Sequence, residues 1–328
     1  MGTDTNTERI LITGALGQIG SELTMKLRER WGGEAVIASD IRTDPQEEIR
    51  DSGPYAIVDV TDKEAIRAAL NKFSITTIYH MSAILSASGE KNPALAWDVN
   101  INGTRNILEL AKDLDLKRIF VPSSIAVFGP ETPKECTPQE TVLLPKTMYG
   151  ITKVAGELLC EYYVETFGLD VRGVRYPGII SHKTLPGGGT TDYAVEIFYA
   201  ALKYGHYDCF LKADTVLPMM YMPDCLKATI DLMDAEFSML KHHSCFNLCG
   251  MSFSAQDLVE EIKKHLPDFT CDYKPDFRQA IADSWPKTID DQAARDEWGW
   301  KPAYDLAQMV EDMISVLSRR HAEGNLGY

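Results

Sequence analysis

The first half of the sequence alternates short β-rich segments with segments of helical periodicity, and this alternation limits the fold more than any other feature. The β-rich segments are 9–13, 35–39, 55–58, 76–81, 118–121 and 171–175. The intervening segments with helical spacing of hydrophobic residues include 18–30, 62–72, 93–114 and 149–167. Such alternation is typical of a parallel sheet with helices on both faces. We therefore predict an α/β fold with a Rossmann-type, doubly wound parallel sheet.

Beyond Arg175 the alternation becomes irregular, and glycine, proline and tyrosine become more frequent. A chain of 328 residues, 45% of them hydrophobic, is long enough for two lobes. We predict a Rossmann domain over 1–176, to which segments near 215–250 return. Residues 177–328 are predicted to form mainly a smaller, mixed α/β substrate-binding lobe.

The charge and the N-terminal sequence narrow the range of partners and compartments. A net charge of −15 argues against nucleic acid and anionic membranes as partners. No apolar stretch approaches the roughly 18 residues that a membrane span needs, and the start MGTDTNTE resembles neither a secretory signal nor a transit peptide. These features predict a soluble intracellular protein that uses a small-molecule substrate.

The seven cysteines suggest free thiols in a reducing compartment, since their number is odd and no signal peptide is evident. The segment 242–249, HHSCFNLC, contains two histidines and two cysteines that could supply four zinc ligands. However, its CFNLC part is also typical of a buried strand, in which alternating side chains point to opposite faces. We favour the strand and predict no metal site.

A glycine-rich turn follows the first predicted strand and precedes the first predicted helix. Gly14, Gly17 and Gly20 have the spacing GxxGxxG, which allows a tight turn and a close approach of backbone to a pyrophosphate at a helix N-terminus. Asp40 ends the second predicted strand, where an acid can accept hydrogen bonds from the adenosine ribose hydroxyls. Because an acid there repels a 2′-phosphate, we predict NAD rather than NADP.

A tyrosine and a lysine lie four residues apart in the segment YGITK, so one helical face carries both Tyr149 and Lys153. A phenol titrates near pH 10 in water. A nearby ammonium and a cationic nicotinamide would favour its phenolate, which makes Tyr149 a candidate base. Ser124 follows a predicted strand, at the sheet edge where α/β proteins bind ligands, and could hydrogen-bond the same substrate oxygen.

Taken together, these motifs resemble the extended short-chain dehydrogenase/reductase family. The likeness rests on TGALGQIG, VDVTD, VNINGTRNILE, PSSIAVFGP, YGITK, RYPGIIS and EWGWKP. It implies that Ser124, Tyr149 and Lys153 are catalytic. It also implies a cofactor site formed by Gly14, Gly17, Gln18, Ile19, Asp40, Asp59, Asn100, Tyr149, Lys153 and Tyr176.

The loop 187–194, GGGTTDYA, suggests a small substrate. Between Arg175 and Arg278 there is no arginine, the residue best suited to bind the second diphosphate of a nucleotide sugar. Thr190 or Thr191 could cap a helix from Asp192 to about Tyr204. A carboxylate would be stabilised at that N-terminus, and Asp192 could pair with an ammonium group. The alternative is that Thr-Thr-Asp is only a helix cap.

A finer resemblance is to the short-chain L-threonine 3-dehydrogenases, through PGGGTTDYAVEIFYAAL, LPMMYMPDCLKATI, PDFRQAIADSWP and DDQAARDEWGW. It implies NAD-dependent oxidation of the L-threonine β-hydroxyl to L-2-amino-3-ketobutyrate. The implied substrate residues are Ser86, Ser123, Thr190, Thr191, Asp192 and Trp285, although Trp285 could instead be a core residue.

The resemblance also implies a homodimer formed through the helices near 93–114 and 149–167. Eukaryotic relatives would act in mitochondria and others in the cytoplasm. Two alternatives remain open. One is a nucleotide-sugar epimerase or dehydratase of the same family, and the other is an NAD(H)-sensing protein, which would not need Ser124, Tyr149 and Lys153 together.

Overall fold

The structure of the chain is a computed structural model that describes residues 8–184 and 189–326. Gly187 and Gly188 of the glycine-rich loop, and most of the segment MGTDTNTE, lie outside the described residues. The strands are β1 (Ile10–Thr13), β2 (Val36–Asp40), β3 (Tyr55–Ile57), β4 (Thr77–His80), β5 (Arg118–Phe120), β6 (Ser123–Ser124), β7 (Val171–Arg172), β8 (Val174–Tyr176), β9 (Gly178–Ile180), β10 (His206–Cys209), β11 (Val216–Tyr221), β12 (Phe246–Asn247), β13 (Met251–Ser254) and β14 (Thr270–Tyr273).

The helices alternate with strands through the first half of the chain and become more frequent near its end. They are α1 (Gln18–Trp31), α2 (Glu47–Asp51), α3 (Lys63–Phe73), α4 (Ser86–Lys91), α5 (Pro93–Trp97), α6 (Thr104–Asp113), α7 (Met148–Phe167), α8 (Tyr193–Tyr204), α9 (Met222–Asp234), α10 (Ala255–His265), α11 (Arg278–Ala282), α12 (Gln292–Trp298) and α13 (Leu306–Ala322). Within the described ranges, no helix combines the length and hydrophobicity needed to cross a bilayer.

The predicted Rossmann-type sheet is confirmed. Six parallel strands follow the order β3-β2-β1-β4-β5-β7, and all four residues of β1 are buried. Ile10 pairs with Val36 on one side and with Thr77 on the other. The strand order therefore reverses at β1, and ligands of such sheets bind beyond the carboxyl end of the strands at this point. The glycine-rich turn begins there.

The chain divides into two compact units. The first contains residues 1–123, 151–174 and 229–245, and the second contains residues 124–150, 175–228 and 246–328. These units differ from the predicted domains in two ways. Of the segment near 215–250, which was predicted to return to the Rossmann domain, only residues 229–245 belong to the first unit. Residues 124–150, which were predicted to lie in the Rossmann domain, belong to the second unit. Strand propensity and helical periodicity do not encode such exchanges, which arise from tertiary packing.

The second unit contains small sheets packed with helices, and two of them show its mixed strand directions. In one, β11 lies between β9, to which it runs parallel, and β13, to which it runs antiparallel. In the other, β10 and β14 are parallel. Helix α13 packs against α8 and α10. This mixture of strand directions agrees with the mixed α/β character expected from the sequence.

The predicted long helix over 93–114 is not continuous. Between α5 and α6, residues Asp98–Gly103 form a π-helical turn, and Asn100 is buried within it. The hydroxyl of Thr104 donates to the carbonyl oxygen of Asn100 at 2.7 Å. Single π-helical turns inside α-helices occur frequently at functional sites. Hydrophobic spacing alone cannot reveal such a turn, because one added residue barely changes the pattern.

Candidate active site

The glycine-rich turn has the close packing that the GxxGxxG spacing predicts. Gly14 has a φ of 64°, in the left-handed region that favours glycine. A Cβ atom on Gly20 would lie 2.2 Å from the carbonyl oxygen of Gly14, so any larger residue would push the turn away from α1. Gly17 donates its backbone N–H to Gly14 at 3.0 Å. The helix N-terminus is therefore held tightly against the end of β1.

The start of α1 offers backbone donors to a ligand. Gly17 flanks the helix in an extended conformation, and no side chain caps the first turn among the residues that the structure describes. Gln18 and Ile19 are the first two residues of the helix. Uncapped N–H groups and the helix dipole together stabilise a phosphate. These residues fit a dinucleotide pyrophosphate, and their contacts with the cofactor remain a prediction.

Asp40 ends β2 beside this turn and is buried. One carboxylate oxygen accepts a hydrogen bond from the backbone N–H of Leu16 at 3.2 Å. The Arg42 guanidinium, whose side chain is 55% exposed, forms an ion pair with Asp40 at 3.2 Å. The sequence pattern gave no indication of this arginine. The ion pair engages the Arg42 guanidinium with the carboxylate of Asp40, and the predicted repulsion of a 2′-phosphate by Asp40 remains a prediction.

We expect Asp40→Asn to lower the preference for NADH over NADPH by at least about tenfold, which corresponds to about 1.4 kcal/mol. The preference is measured by cofactor fluorescence as the ratio of the two dissociation constants. Removal of the carboxylate charge ends the repulsion and frees Arg42. Arg42→Ala in the Asp40→Asn background should reverse the gain in NADPH affinity. Asp44→Asn, which removes an exposed charge nearby, serves as the control. An unchanged ratio in Asp40→Asn would contradict the role of Asp40.

Asp59 follows β3, and its carboxylate accepts hydrogen bonds from the backbone N–H and the hydroxyl of Thr61 at 2.9 and 2.8 Å. The turn after β3 is therefore fixed by its own side chain. Tyr176, at the end of β8, is buried. The predicted contacts of both residues with the cofactor remain predictions.

Tyr149 lies in the first turn of α7 and is half-buried. Burial raises the pKa of Tyr149 to about 12, while a hydrogen bond with Ser124 acts in the opposite direction. Ser124 also accepts a hydrogen bond from the backbone N–H of Ala126 at 3.2 Å, which fixes its hydroxyl at the end of β6. The protein's own groups thus hold Tyr149 as a neutral phenol, so the expected phenolate requires added positive charge.

Lys153 is one turn further along α7. Its ammonium group donates to the carbonyl oxygen of Pro122 at 2.6 Å. Burial lowers the pKa of Lys153 to about 8, and the nearby carboxylate of Glu157 only partly opposes this effect. A lysine with such a pKa is largely protonated at neutral pH but close to its titration midpoint.

Asn100 connects the π-helical turn to α7. Its side-chain amide donates to the hydroxyl of Thr152 at 3.0 Å and to the carbonyl oxygen of Ile84 at 3.0 Å. Its side-chain oxygen accepts from the N–H of Ile84 at 2.8 Å. Asn100 therefore positions the residue before Lys153 and the segment that leads to Ser86, the first residue of α4. A structural support role fits these contacts.

The loop before α8 is organised by Asp192. Its carboxylate accepts a hydrogen bond from the N–H of Gly189 at 2.6 Å, and among the described residues it makes no capping bond to the helix's first turn. Thr190 is buried, and Thr191 packs so closely on Gly178 that a Cβ there would lie 2.7 Å from the threonine methyl group. The helix begins at Tyr193, one residue later than predicted.

Ser123 and Trp285, the other predicted substrate residues, are both buried. The hydroxyl of Ser123 donates to a carboxylate oxygen of Glu157. Trp285 is 8% exposed and follows α11, which agrees with the alternative of a core residue. Their contacts with a substrate remain predictions. In the segment 242–249, the short strand β12 forms, and His243 pairs with Glu161 at 2.7 Å.

Comparisons with known proteins agree with this geometry. A family model described as the NAD dependent epimerase/dehydratase family matches residues 10–245. An uncharacterized epimerase/dehydratase of Staphylococcus haemolyticus is 51% identical over 314 residues, which cover 95% of this chain and 98% of that protein.

Two solved structures are similar over nearly the whole chain. An L-threonine dehydrogenase from Clostridium difficile is 50% identical with a TM-score of 0.94, over 96% of this chain and 98% of that one. A monomeric L-threonine 3-dehydrogenase from a metagenome database is 52% identical with a TM-score of 0.91, over 94% and 99% of the two chains. The chain thus belongs to the NAD dependent epimerase/dehydratase family, as an enzyme whose cofactor is NAD.

Proposed function

We propose that this enzyme is an NAD-dependent L-threonine 3-dehydrogenase, which oxidises the β-hydroxyl of L-threonine to L-2-amino-3-ketobutyrate. The observation that carries the proposal is the likeness, at about 50% identity over nearly the whole chain, to solved L-threonine dehydrogenases. The uncharacterized staphylococcal relative leaves the reaction open. The side chains of the candidate site therefore have to suit the oxidation of L-threonine better than the reaction of a nucleotide sugar.

The catalytic part of the proposal rests on three side chains. In it, Tyr149 removes the proton from the substrate hydroxyl, and Ser124, its hydrogen-bond partner, stabilises the developing carbonyl oxygen. Lys153 favours the phenolate through its positive charge. NAD⁺ supplies the hydride acceptor when it is bound. Because burial favours the neutral phenol of Tyr149, the positive charge of Lys153 would act together with that of NAD⁺ when it is bound.

The substrate part of the proposal rests on the loop that contains Asp192. L-Threonine is a zwitterion and needs one partner for its ammonium group and another for its carboxylate. The Asp192 carboxylate suits the ammonium group, and its bond to Gly189 fixes the side chain before substrate binds. The lack of arginine between Arg175 and Arg278 argues against a nucleotide sugar, whose second diphosphate an arginine would bind best.

The proposal is tested by following NADH absorbance when purified enzyme and NAD⁺ are mixed with L-threonine, other hydroxy amino acids, or UDP-sugars. We expect NADH to appear with L-threonine and the absorbance to stay flat with the sugars. Sugar products analysed by chromatography form the second readout. Conversion of a UDP-sugar without NADH formation from threonine would contradict the proposal and favour the epimerase alternative.

We expect Asp192→Asn to reduce kcat/KM for L-threonine by at least about tenfold, because the variant loses the charge that pairs with the ammonium group. The affinity for NADH, measured by fluorescence, should be unchanged. An asparagine retains a side-chain oxygen for the N–H of Gly189, so the loop should keep its conformation. Asp214→Asn, at an exposed aspartate of the same unit, is the control. Equal losses of threonine use and NADH affinity would indicate a structural role.

We also propose a homodimer formed through helices of the first unit. Leu95 and Trp97 of α5, and Ile151, Leu158 and Tyr162 of α7, expose between 43% and 68% of their surface. Exposed apolar side chains on neighbouring turns are typical of protein interfaces. The similar monomeric enzyme shows that a related chain does without such an interface. Light scattering on the purified protein distinguishes a monomer from a dimer.

A further inference from the structure

A buried carboxylate lies one helical turn beyond Lys153 on the same face of α7. Glu157 is 8% exposed, and the hydroxyl of Ser123 donates to its carboxylate. The hydroxyl of Ser244 donates to its backbone carbonyl oxygen at 3.3 Å. Helix α7 is thus joined to two adjacent residues that follow β5. Pro122 accepts a hydrogen bond from Lys153, and Ser123 donates one to Glu157.

Lys153 and Glu157 line one small internal cavity of about 20 Å³, a volume that holds about one water molecule. Its wall includes the polar residues Asn100, Thr104 and Thr152. The two residues therefore border the same small space, and the Glu157 side chain is buried. In such a space the attraction between opposite charges is screened much less than at the surface.

The titratable groups near Lys153 are few, and most of them are neutral at physiological pH. The titratable groups around Lys153 are Tyr149, Glu157 and Cys160 on its own helix and His80 on β4. Burial raises the pKa of the Cys160 thiol far above its usual range and lowers the pKa of His80 to about 3, so both are neutral at physiological pH. Glu157 is then the one group in this set that supplies a negative charge.

We propose that Glu157 is a positioning residue for Lys153: its buried carboxylate, fixed by Ser123, keeps the lysine in its ammonium form at neutral pH. The inference rests on the proposed function, in which Lys153 assists Tyr149. It assigns Ser123 a role inside the protein, as the partner that orients Glu157. Lysine loses its charge readily when buried, so a catalytic ammonium of this kind needs such a counter-charge.

The direct test is an NMR titration of the protein labelled with ¹³C at lysine Cε, with the Lys153 signal assigned by its loss in Lys153→Arg. We expect the titration midpoint of Lys153 to fall by about one pH unit in Glu157→Gln, which retains an oxygen for Ser123 but loses the charge. In Glu157→Asp, which retains the charge, the midpoint should stay close to that of the wild type. Glu161→Gln, one turn along the helix, should leave it unchanged.

An unchanged midpoint in Glu157→Gln would overturn the proposal. So would equal shifts in Glu157→Gln and Glu157→Asp, since a structural disturbance would not depend on charge. The titration needs neither cofactor nor substrate, so it remains decisive even if L-threonine is not oxidised. If it is oxidised, the loss of kcat in Glu157→Gln should grow from less than about twofold at pH 6.5 to about fivefold at pH 8, as the variant's lysine loses its proton.

Discussion

Tyr149→Phe is expected to reduce kcat for NADH formation from L-threonine by about 10³-fold or more, within the range that general acid–base catalysis contributes. In the proposed mechanism the phenolate of Tyr149, which is the hydrogen-bond partner of Ser124, accepts the substrate proton. Phenylalanine retains the ring and its packing in α7. Affinity for NADH, followed by fluorescence, should therefore change little.

The matched control is Tyr162→Phe, which removes a hydroxyl from the same helix at a side chain that is 53% exposed. It should retain nearly full activity. If Tyr149→Phe kept more than about a tenth of the wild-type kcat, Tyr149 could not be the base. A loss of NADH affinity in parallel with kcat would mean that the substitution disturbs the helix instead of the chemistry.

The central sheet was predictable because its strands are short, most of their residues are buried, and helices lie between successive strands along the chain. Buried β-branched residues such as Ile10 and Ile12 of β1 produce a strong strand pattern. The interchange of segments between the two units was not predictable in the same way. It depends on contacts over long sequence distances, such as Arg172 donating to the carbonyl oxygens of Leu232 and Ala235.

The candidate site was predictable where local spacing determines geometry. The glycine turn, Asp40 and the Tyr149–Lys153 spacing each follow from neighbouring residues in one turn or one helix. Features that depend on the folded structure could not be predicted. They are the ion pair of Arg42 with Asp40, the hydrogen bond of Ser123 to Glu157, and the raised pKa of Tyr149, which is caused by burial. A buried acid four residues after a catalytic lysine is a usable sequence signal, since both lie on one helical face.

The sequence also gave no indication of the role of His80, which connects the last residue of β1 to Thr104, the first residue after the π-helical turn. Its Nδ1 lies 2.9 Å from the hydroxyl of Thr13, and its Nε2 lies 3.2 Å from the hydroxyl of Thr104. Because Thr104 already donates to Asn100, it must accept from Nε2–H, which leaves Nδ1 to accept from Thr13. The network is thus complete with a neutral imidazole.

We expect the wild type to lose about 2 kcal/mol of folding free energy between pH 7 and pH 5 through His80 alone, since each pKa unit corresponds to about 1.4 kcal/mol. Burial lowers the pKa of His80 from its usual 6.5 to about 3. Below pH 6.5 the unfolded chain therefore binds a proton that the folded protein does not, and stability falls as the pH falls. Urea unfolding curves at the two pH values measure this loss.

His80→Gln separates this effect from the general acid sensitivity of the protein. Glutamine can still donate to Thr104, and it cannot titrate. Because it does not reproduce the shape and both hydrogen bonds of the buried imidazole, the variant should be less stable at pH 7. Its further loss at pH 5 should be smaller than that of the wild type by about 2 kcal/mol. His265→Gln, at an exposed residue in the last turn of α10, should behave as the wild type does. If His80→Gln lost as much stability as the wild type between pH 7 and pH 5, His80 could not be the buried neutral group that makes the fold sensitive to acid.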